Sequence, residues 1–214
     1  MSGLDLIVFG ASGASGQEFV LSALERGHAV RTFLRPSTTW SAPSQVQSFR
    51  GTFNDPSLLQ DAVAGVDAVC SFIGPRPPNT DVFCAAATQA ILNAMAVHGV
   101  QRFACVTGAM VAASTASVSV PARLVAALFR LARAQVAEDR VSQEAIVRSS
   151  ATSWTLFKPP RLRAGPRSVR VAAGPEVRVG LLSFISRTDL ANLILDAVEK
   201  GQFIRQAVFV RAAA

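Results

Sequence analysis

Short apolar runs alternate with longer segments whose apolar residues recur every three or four positions, along almost the whole chain. The runs have strand length and carry many β-branched residues: Asp5–Phe9, Ala29–Leu34, Gln45–Arg50, Ala68–Phe72, Arg102–Thr107 and Ser153–Phe157. Several are apolar throughout, as parallel strands covered on both faces must be. Between them the spacing predicts helices near Ala14–Arg26, Pro56–Ala64, Thr80–His98, Ala122–Ser149 and Thr188–Lys200. Asp55-Pro56 reads as an N-cap with proline at the first helical position, and Thr188-Asp189 opens the last helix in the same manner. A final strand, Ala207–Arg211, would close one edge of the sheet, and the Pro- and Gly-rich part from Lys158 to Gly180 is the expected irregular region. This alternation predicts an α/β fold: one doubly wound domain over residues 1–214, with a mainly parallel sheet and helices on both faces. Ligands in such folds sit beyond the carboxyl ends of the strands.

The sharpest local signal stands at the first of those ends. Leu6-Ile7-Val8-Phe9 runs into Gly10-Ala11-Ser12-Gly13-Ala14-Ser15-Gly16, and Phe19, Val20, Leu21, Ala23 and Leu24 follow at helical spacing. Glycines let the backbone turn sharply and approach a ligand, and the helix behind them aims free N–H groups and a partial positive charge at a pyrophosphate. Gly27 stops that helix and Ala29–Leu34 supplies the second strand, which completes a βαβ opening of about 30 residues, as a dinucleotide fingerprint requires. The spacing is G-x-x-G-x-x-G, with Ser12 where a second close glycine would stand. Gly10, Ser12, Gly13, Ala14, Ser15 and Gly16 are therefore the expected phosphate-binding residues.

Composition narrows the classes. With 214 residues, half of them apolar, the chain can bury one sizeable core. No run reaches the roughly 20 apolar residues of a membrane span, and the first apolar run is a strand, so a cytoplasmic protein is expected. Cys70, Cys84 and Cys105 are an odd set with no close pair, read as buried free thiols, and no metal site is expected. The only histidines, His28 and His98, each adjoin a glycine at a helix end and read as C-terminal caps. The net charge of +7 comes almost entirely from scattered arginines, and the densest stretch, Arg161 to Arg170, has no interleaved aromatics. An anionic small molecule accounts for that balance better than nucleic acid does. Neither a nucleic-acid nor a membrane partner is expected, and the chain would be a monomer or a homodimer.

The second strand ends in Leu34-Arg35-Pro36-Ser37-Thr38, where an NAD site would place an Asp or Glu for the ribose hydroxyls. A guanidinium there can stack on adenine and hold a 2′-phosphate, so NADP(H) is the expected cofactor. Thr52, Ile73, Gly74, Thr107, Lys158 and Pro159 follow later strands and join the expected cofactor site. Thr107 could orient a substrate oxygen, and Lys158 could stabilise negative charge or give up a proton if desolvated. Arg76, Gly108, Ala109 and Met110 would face the substrate, whose pocket walls fall in loops near 75–83, 110–121 and 160–180.

These segments resemble the atypical short-chain dehydrogenase/reductases of the NmrA-like group, above all the flavin reductase/biliverdin-IXβ reductase type. The resemblance rests on Phe9–Gly16, Phe33-Leu-Arg35, Ala64–Val69, Ile73-Gly-Pro75, Ala94–Val100, Phe103–Gly108, Trp154–Leu162 and Ile185–Ala191, and it spans nearly the whole chain. It implies a Rossmann-like domain that binds NADPH and, in many members, passes hydride to a flavin, tetrapyrrole, quinone or carbonyl compound. The chain has no tyrosine, so the Tyr-x-x-x-Lys pair of tyrosine-dependent relatives cannot exist. Where the flavin/biliverdin reductase type carries Thr-Ser-Ala after strand five, this chain has Thr107-Gly108-Ala109; Ser114, in the next loop, is a candidate substitute. Where the family often has Gly-Asp after strand three, it has Gly51-Thr52. The leading expectation is an NADPH-dependent reductase of a small conjugated acceptor. Two alternatives stand beside it: a non-catalytic NADP(H) sensor, and a redox-neutral isomerase or cyclase on the same scaffold.

Overall fold

A computed structural model describes residues 3–75, 82–111, 117–165 and 170–213. Its centre is an eight-stranded sheet in the order β3-β2-β1-β4-β5-β6-β10-β8. The strands are β1 (Asp5–Phe9), β2 (Ala29–Leu34), β3 (Gln47–Arg50), β4 (Ala68–Ser71), β5 (Arg102–Val106), β6 (Ser153–Lys158), β8 (Val171–Gly174) and β10 (Gln206–Ala212). All neighbours pair in parallel except β10 with β8, where Phe209 lies opposite Gly174. The direction of strand order reverses between β1 and β4, which opens a crevice at their carboxyl ends.

The covered faces explain the continuous apolar runs. Leu6, Val8, Phe19, Val20, Ile194 and Leu195 belong to a core under α1 (Ala14–Glu25) and α6 (Arg187–Glu199). Ile7, Phe9, Leu59, Ile91, Met95 and Leu156 belong to the core on the other face, under α2 (Pro56–Val63), α3 (Cys84–Val97) and α5 (Ala134–Ser149). Successive β1 residues thus alternate between two buried cores. Burial of roughly 1.5–3 kcal/mol per large aliphatic side chain makes this central strand the firmest part of the scaffold.

Several expectations need correction. The helix expected over Ala122–Ser149 is two helices, α4 (Val120–Ala132) and α5, parted at Arg133, whose φ of −137° and ψ of 49° leave the helical region. The two halves pack differently: α4 seats Ala122 in the small cluster with Val118 and Phe209, whereas α5 packs against α3 and sets Val147 in the core beneath it. The helix expected from Thr80 begins at Cys84, where Asp139 accepts hydrogen bonds from the Cys84 and Ala85 amides at 2.8 and 3.0 Å. The last helix is capped by Ser186, not Thr188: its hydroxyl accepts from the Asp189 amide and donates to the Asp189 carboxylate. The stretch after Lys158 is not wholly irregular, since it contains β8 and β7 (Arg161–Arg163), which pairs with β9 (Phe184–Ser186). β10 is therefore not the sheet edge; β8 is. His28 is not a helix cap. Its Nδ1 accepts from the Leu4 amide at 3.1 Å and its Nε2 lies 2.8 Å from Glu199, tying β1 to the end of α6.

Candidate functional site

The glycine turn has the geometry its spacing requires. Gly10 has φ +78°, and a Cβ there would lie 2.8 Å from the Phe72 carbonyl group. A Cβ on Gly16 would strike the Gly10 carbonyl, so that glycine lets α1 start directly on the turn. Gly13 is the N-cap and offers no side chain to the first amides of α1, and no acid lies in its first turn. The helix starts nearby are treated otherwise: Asp55 accepts from the Leu58 amide in α2, Asp139 caps α3 and Ser186 caps α6. An uncapped N-terminus behind a glycine turn is suited to an anionic oxygen.

A cleft opens in front of this turn. It is lined by Gly10, Ser12, Gly13, Arg35, Ile73 and Gly74, with four phenylalanines. Phe33, Phe53, Phe72 and Phe83 make it aromatic, and Phe33 and Phe53 are stacked with centroids 5.7 Å apart. Six of the expected cofactor residues thus share one cavity. Ala14 and Ser15 begin α1, and Gly16 is buried behind the turn. Thr52 is exposed and outside the lining, where its neighbour Phe53 stands instead. Arg76 and Ser114 lie outside the described residues.

The carboxyl ends of β5 and β6 hold a different arrangement. Lys158 is 1% exposed and forms an ion pair with Glu144, itself 2% exposed. Thr107 donates its hydroxyl proton to the same Glu144 oxygen at 2.8 Å, while Glu144 Oε2 is buried without a hydrogen-bond partner among the described residues. Burial pulls Lys158 below the ordinary lysine value, and Arg148 and Arg140 add to that effect; the Glu144 carboxylate only partly opposes it. Arg140, one turn before Glu144, donates to the Ile73 carbonyl at 2.8 Å and to the Thr107 carbonyl, so it ties the ends of β4 and β5 together. Gln143 binds Thr88 at 2.9 Å. Gly108 has φ +134°, a conformation serine rarely adopts. Ala109 donates to the Pro159 carbonyl at 2.9 Å and, with Met110, packs in the small core around Phe209.

The sequence model of the NAD(P)H-binding family matches residues 10–201. The chain belongs to that family. Solved structures carry the same fold. One of a putative exported protein from Burkholderia pseudomallei is 28% identical, with a TM-score of 0.78 over 97% of this chain and 99% of that one. A wide-type short-chain dehydrogenase/reductase from Veillonella parvula in complex with NADP is 18% identical, with a TM-score of 0.79 over 99% and 95%. ChuY, an anaerobilin reductase from Escherichia coli O157:H7, is 19% identical, with a TM-score of 0.79 over 97% and 97%.

In this NAD(P)H-binding chain, the functional features missed by sequence reasoning are the aromatic wall and the polar face of α5. Asp139, Arg140, Gln143 and Glu144 are all buried, interleaved with Val136, Ala137 and Val147. Their spacing of one, three and four residues puts them on a single helix face, and that pattern was available in the sequence. Burial raises the Cys70 and Cys105 thiols to about 12 and the Cys84 thiol to about 11, so none is a nucleophile at neutral pH.

Proposed function

We propose that this protein is an NADPH-dependent reductase that passes hydride to a small conjugated acceptor such as a flavin, quinone, enone or tetrapyrrole. The observation that carries this is the shared cavity of Gly10, Ser12, Gly13 and Arg35 in front of an uncapped helix. The α1 amides, those of Ala14 and Ser15 among them, would hold the diphosphate. Arg35 would hold the 2′-phosphate and, with Phe53, contact the adenine. Ile73 and Gly74 would line the ribose, and Thr107, Gly108 and Pro159 would lie towards the nicotinamide. When bound, NADPH supplies the hydride. The chain would supply orientation and a proton: Thr107, on turning its hydroxyl proton from Glu144 to the acceptor oxygen, would align it, and Lys158, with its weakened hold on a proton, would be the acid that re-protonates the shared Glu144 oxygen. A flavin acceptor needs no protein acid, because solvent protonates the product. The Thr-Gly-Ala segment and the absence of tyrosine fit such an acceptor.

A second reading, a cofactor sensor without turnover, draws on one observation: Thr107 and Lys158 are bonded to Glu144 and do not line the cleft. Mixing the purified protein with NADPH or NADH and a panel of flavins, quinones, enones and tetrapyrroles separates the two. Loss of nicotinamide absorbance with at least one acceptor, faster with NADPH, is expected. No loss with any acceptor, with tight NADPH binding by calorimetry, would establish the sensor.

A further inference from the structure

Among the described side chains of helix α4, Ala122 and Ala126 are buried, while Leu124, Leu128 and Leu131 are 65%, 59% and 83% exposed and Val120 is exposed with them. At 100° per residue, Val120, Leu124, Leu128 and Leu131 form one stripe on the side opposite the two alanines. Exposed Leu181 and Leu182 extend the apolar surface beyond Val179, which bridges to Val118 just before the helix. A single exposed leucine needs no explanation, but an apolar stripe along a whole helix marks an interaction surface.

The charges beside the stripe identify the partner. Arg123 lies beside it on the helix, Arg133 follows at the break before α5, and Arg178 adjoins Val179. No acidic residue occurs from Ser117 to Ala137. Arg123 is fixed along the helix by its Nε bond to the Val118 carbonyl at 2.9 Å. A second copy docked by this face would bring the arginines of both copies into one seam with no carboxylate from the helix to answer them. An anionic bilayer answers both features: its acyl boundary takes the leucines and its headgroups take the guanidinium groups.

We propose that α4, with Leu181 and Leu182, is a surface for peripheral docking on anionic lipid bilayers. Among the described residues no helix is long and apolar enough to cross a membrane, so the helix would lie in the interface plane. Ala122 packs with Ala109, Val118, Val179 and Phe209, and the Phe209 ring lies 5.9 Å from Lys158 Nζ. The docking face therefore adjoins the end of the sheet assigned above to the acceptor. On that assignment it favours acceptors dissolved in the bilayer, quinones above all.

Vesicle flotation tests the docking without any turnover, so a failure of the reductase reading would leave it intact. The full chain is expected to float with phosphatidylcholine/phosphatidylglycerol vesicles at low salt and much less with phosphatidylcholine alone. Each of Leu124→Gln, Leu128→Gln and Leu131→Gln should lower the partition coefficient about tenfold. Arg133→Gln should lower it about fivefold, an effect erased by high salt. These side chains are exposed, so an unchanged circular-dichroism melt confirms that the variants fold. Leu21→Gln, on α1 at the far side, should float as the parent does. Absence of flotation on anionic vesicles overturns the proposal, as does a concentration-dependent dimer that Leu128→Gln dissociates while flotation is unchanged.

Discussion

At the β1–α1 turn the N-cap Gly13 offers no side chain to the first amides of the helix, and the cleft before them is walled mainly by glycine and phenylalanine, with Ser12, Ile73 and the exposed Arg35. At the ends of β5 and β6, by contrast, the polar heads are already matched: Thr107 and Lys158 share one Glu144 oxygen, and Arg140 is bonded to two strand-end carbonyls. One end of the site is left open for a ligand to complete. The other is completed by its own side chains except at Glu144 Oε2, which has no hydrogen-bond partner among the described residues. Pre-formed openness suits tight holding of a cofactor. A self-satisfied cluster suits alignment of a weakly held acceptor, and it fixes the rotamers of the groups beside it.

The largest expected effect tests the closed end. Removing one partner of a buried ion pair leaves the other charge uncompensated, so Glu144→Ala should cost about 3–5 kcal/mol in urea denaturation. The double variant Glu144→Leu/Lys158→Met should recover most of that loss. A cost under about 1 kcal/mol for Glu144→Ala would show that Lys158 reaches solvent in the native state. Next comes the open end. Gly10→Ala forces an alanine to φ +78° against the Phe72 carbonyl group, a strain of about 1–3 kcal/mol. NADPH affinity by calorimetry should fall about 5- to 100-fold, since 1.4 kcal/mol is one decade. Unchanged affinity would mean that the turn does not hold the diphosphate. Smaller again is Arg35→Ala, expected to weaken NADPH about 10–100-fold and NADH, which keeps only the adenine contact, several-fold. Equal losses for both would place Arg35 on the adenine alone.

The two ends also differ in how far they were legible in the sequence. The open end is a matter of local spacing: Gly10, Gly13, Gly16 and Arg35 follow strands, and strands are visible as apolar runs. Sheet and helix order were read on the same basis. Phe53 escaped because its partners Phe9 and Phe33 come from other strands, and no periodicity announces a stack formed across elements. The closed end depends on a pair 14 residues apart, with Glu144 inside a helix and Lys158 at a strand end. Lys158 was noticed by position, but its partner was not, because a charged residue on a helix is ordinarily solvated. The break at Arg133 was hidden for a related reason. Both α4 and α5 have helical periodicity, and no proline or glycine marks the join between them.

The smallest expected effect is a slope, and it is specific to the closed end. Lys158 holds its proton less tightly in the folded protein than in the unfolded chain, where its value is about 10.5. Within the alkaline window just below 10.5 the unfolded state therefore binds more protons, and stability gains a positive contribution with rising pH. Below the folded-state value both forms are protonated and that contribution vanishes. Lys158→Met should remove it, so the stability difference between parent and variant should move in the parent's favour as pH rises through that window. The measurement is a pair of urea midpoints at neutral and alkaline pH, compared as differences so that other titrating groups cancel. A flat difference would mean that Glu144 balances the burial of Lys158 in full. The closed end would then be a neutral structural pair with no proton to lend, and the acceptor would have to draw its proton from solvent.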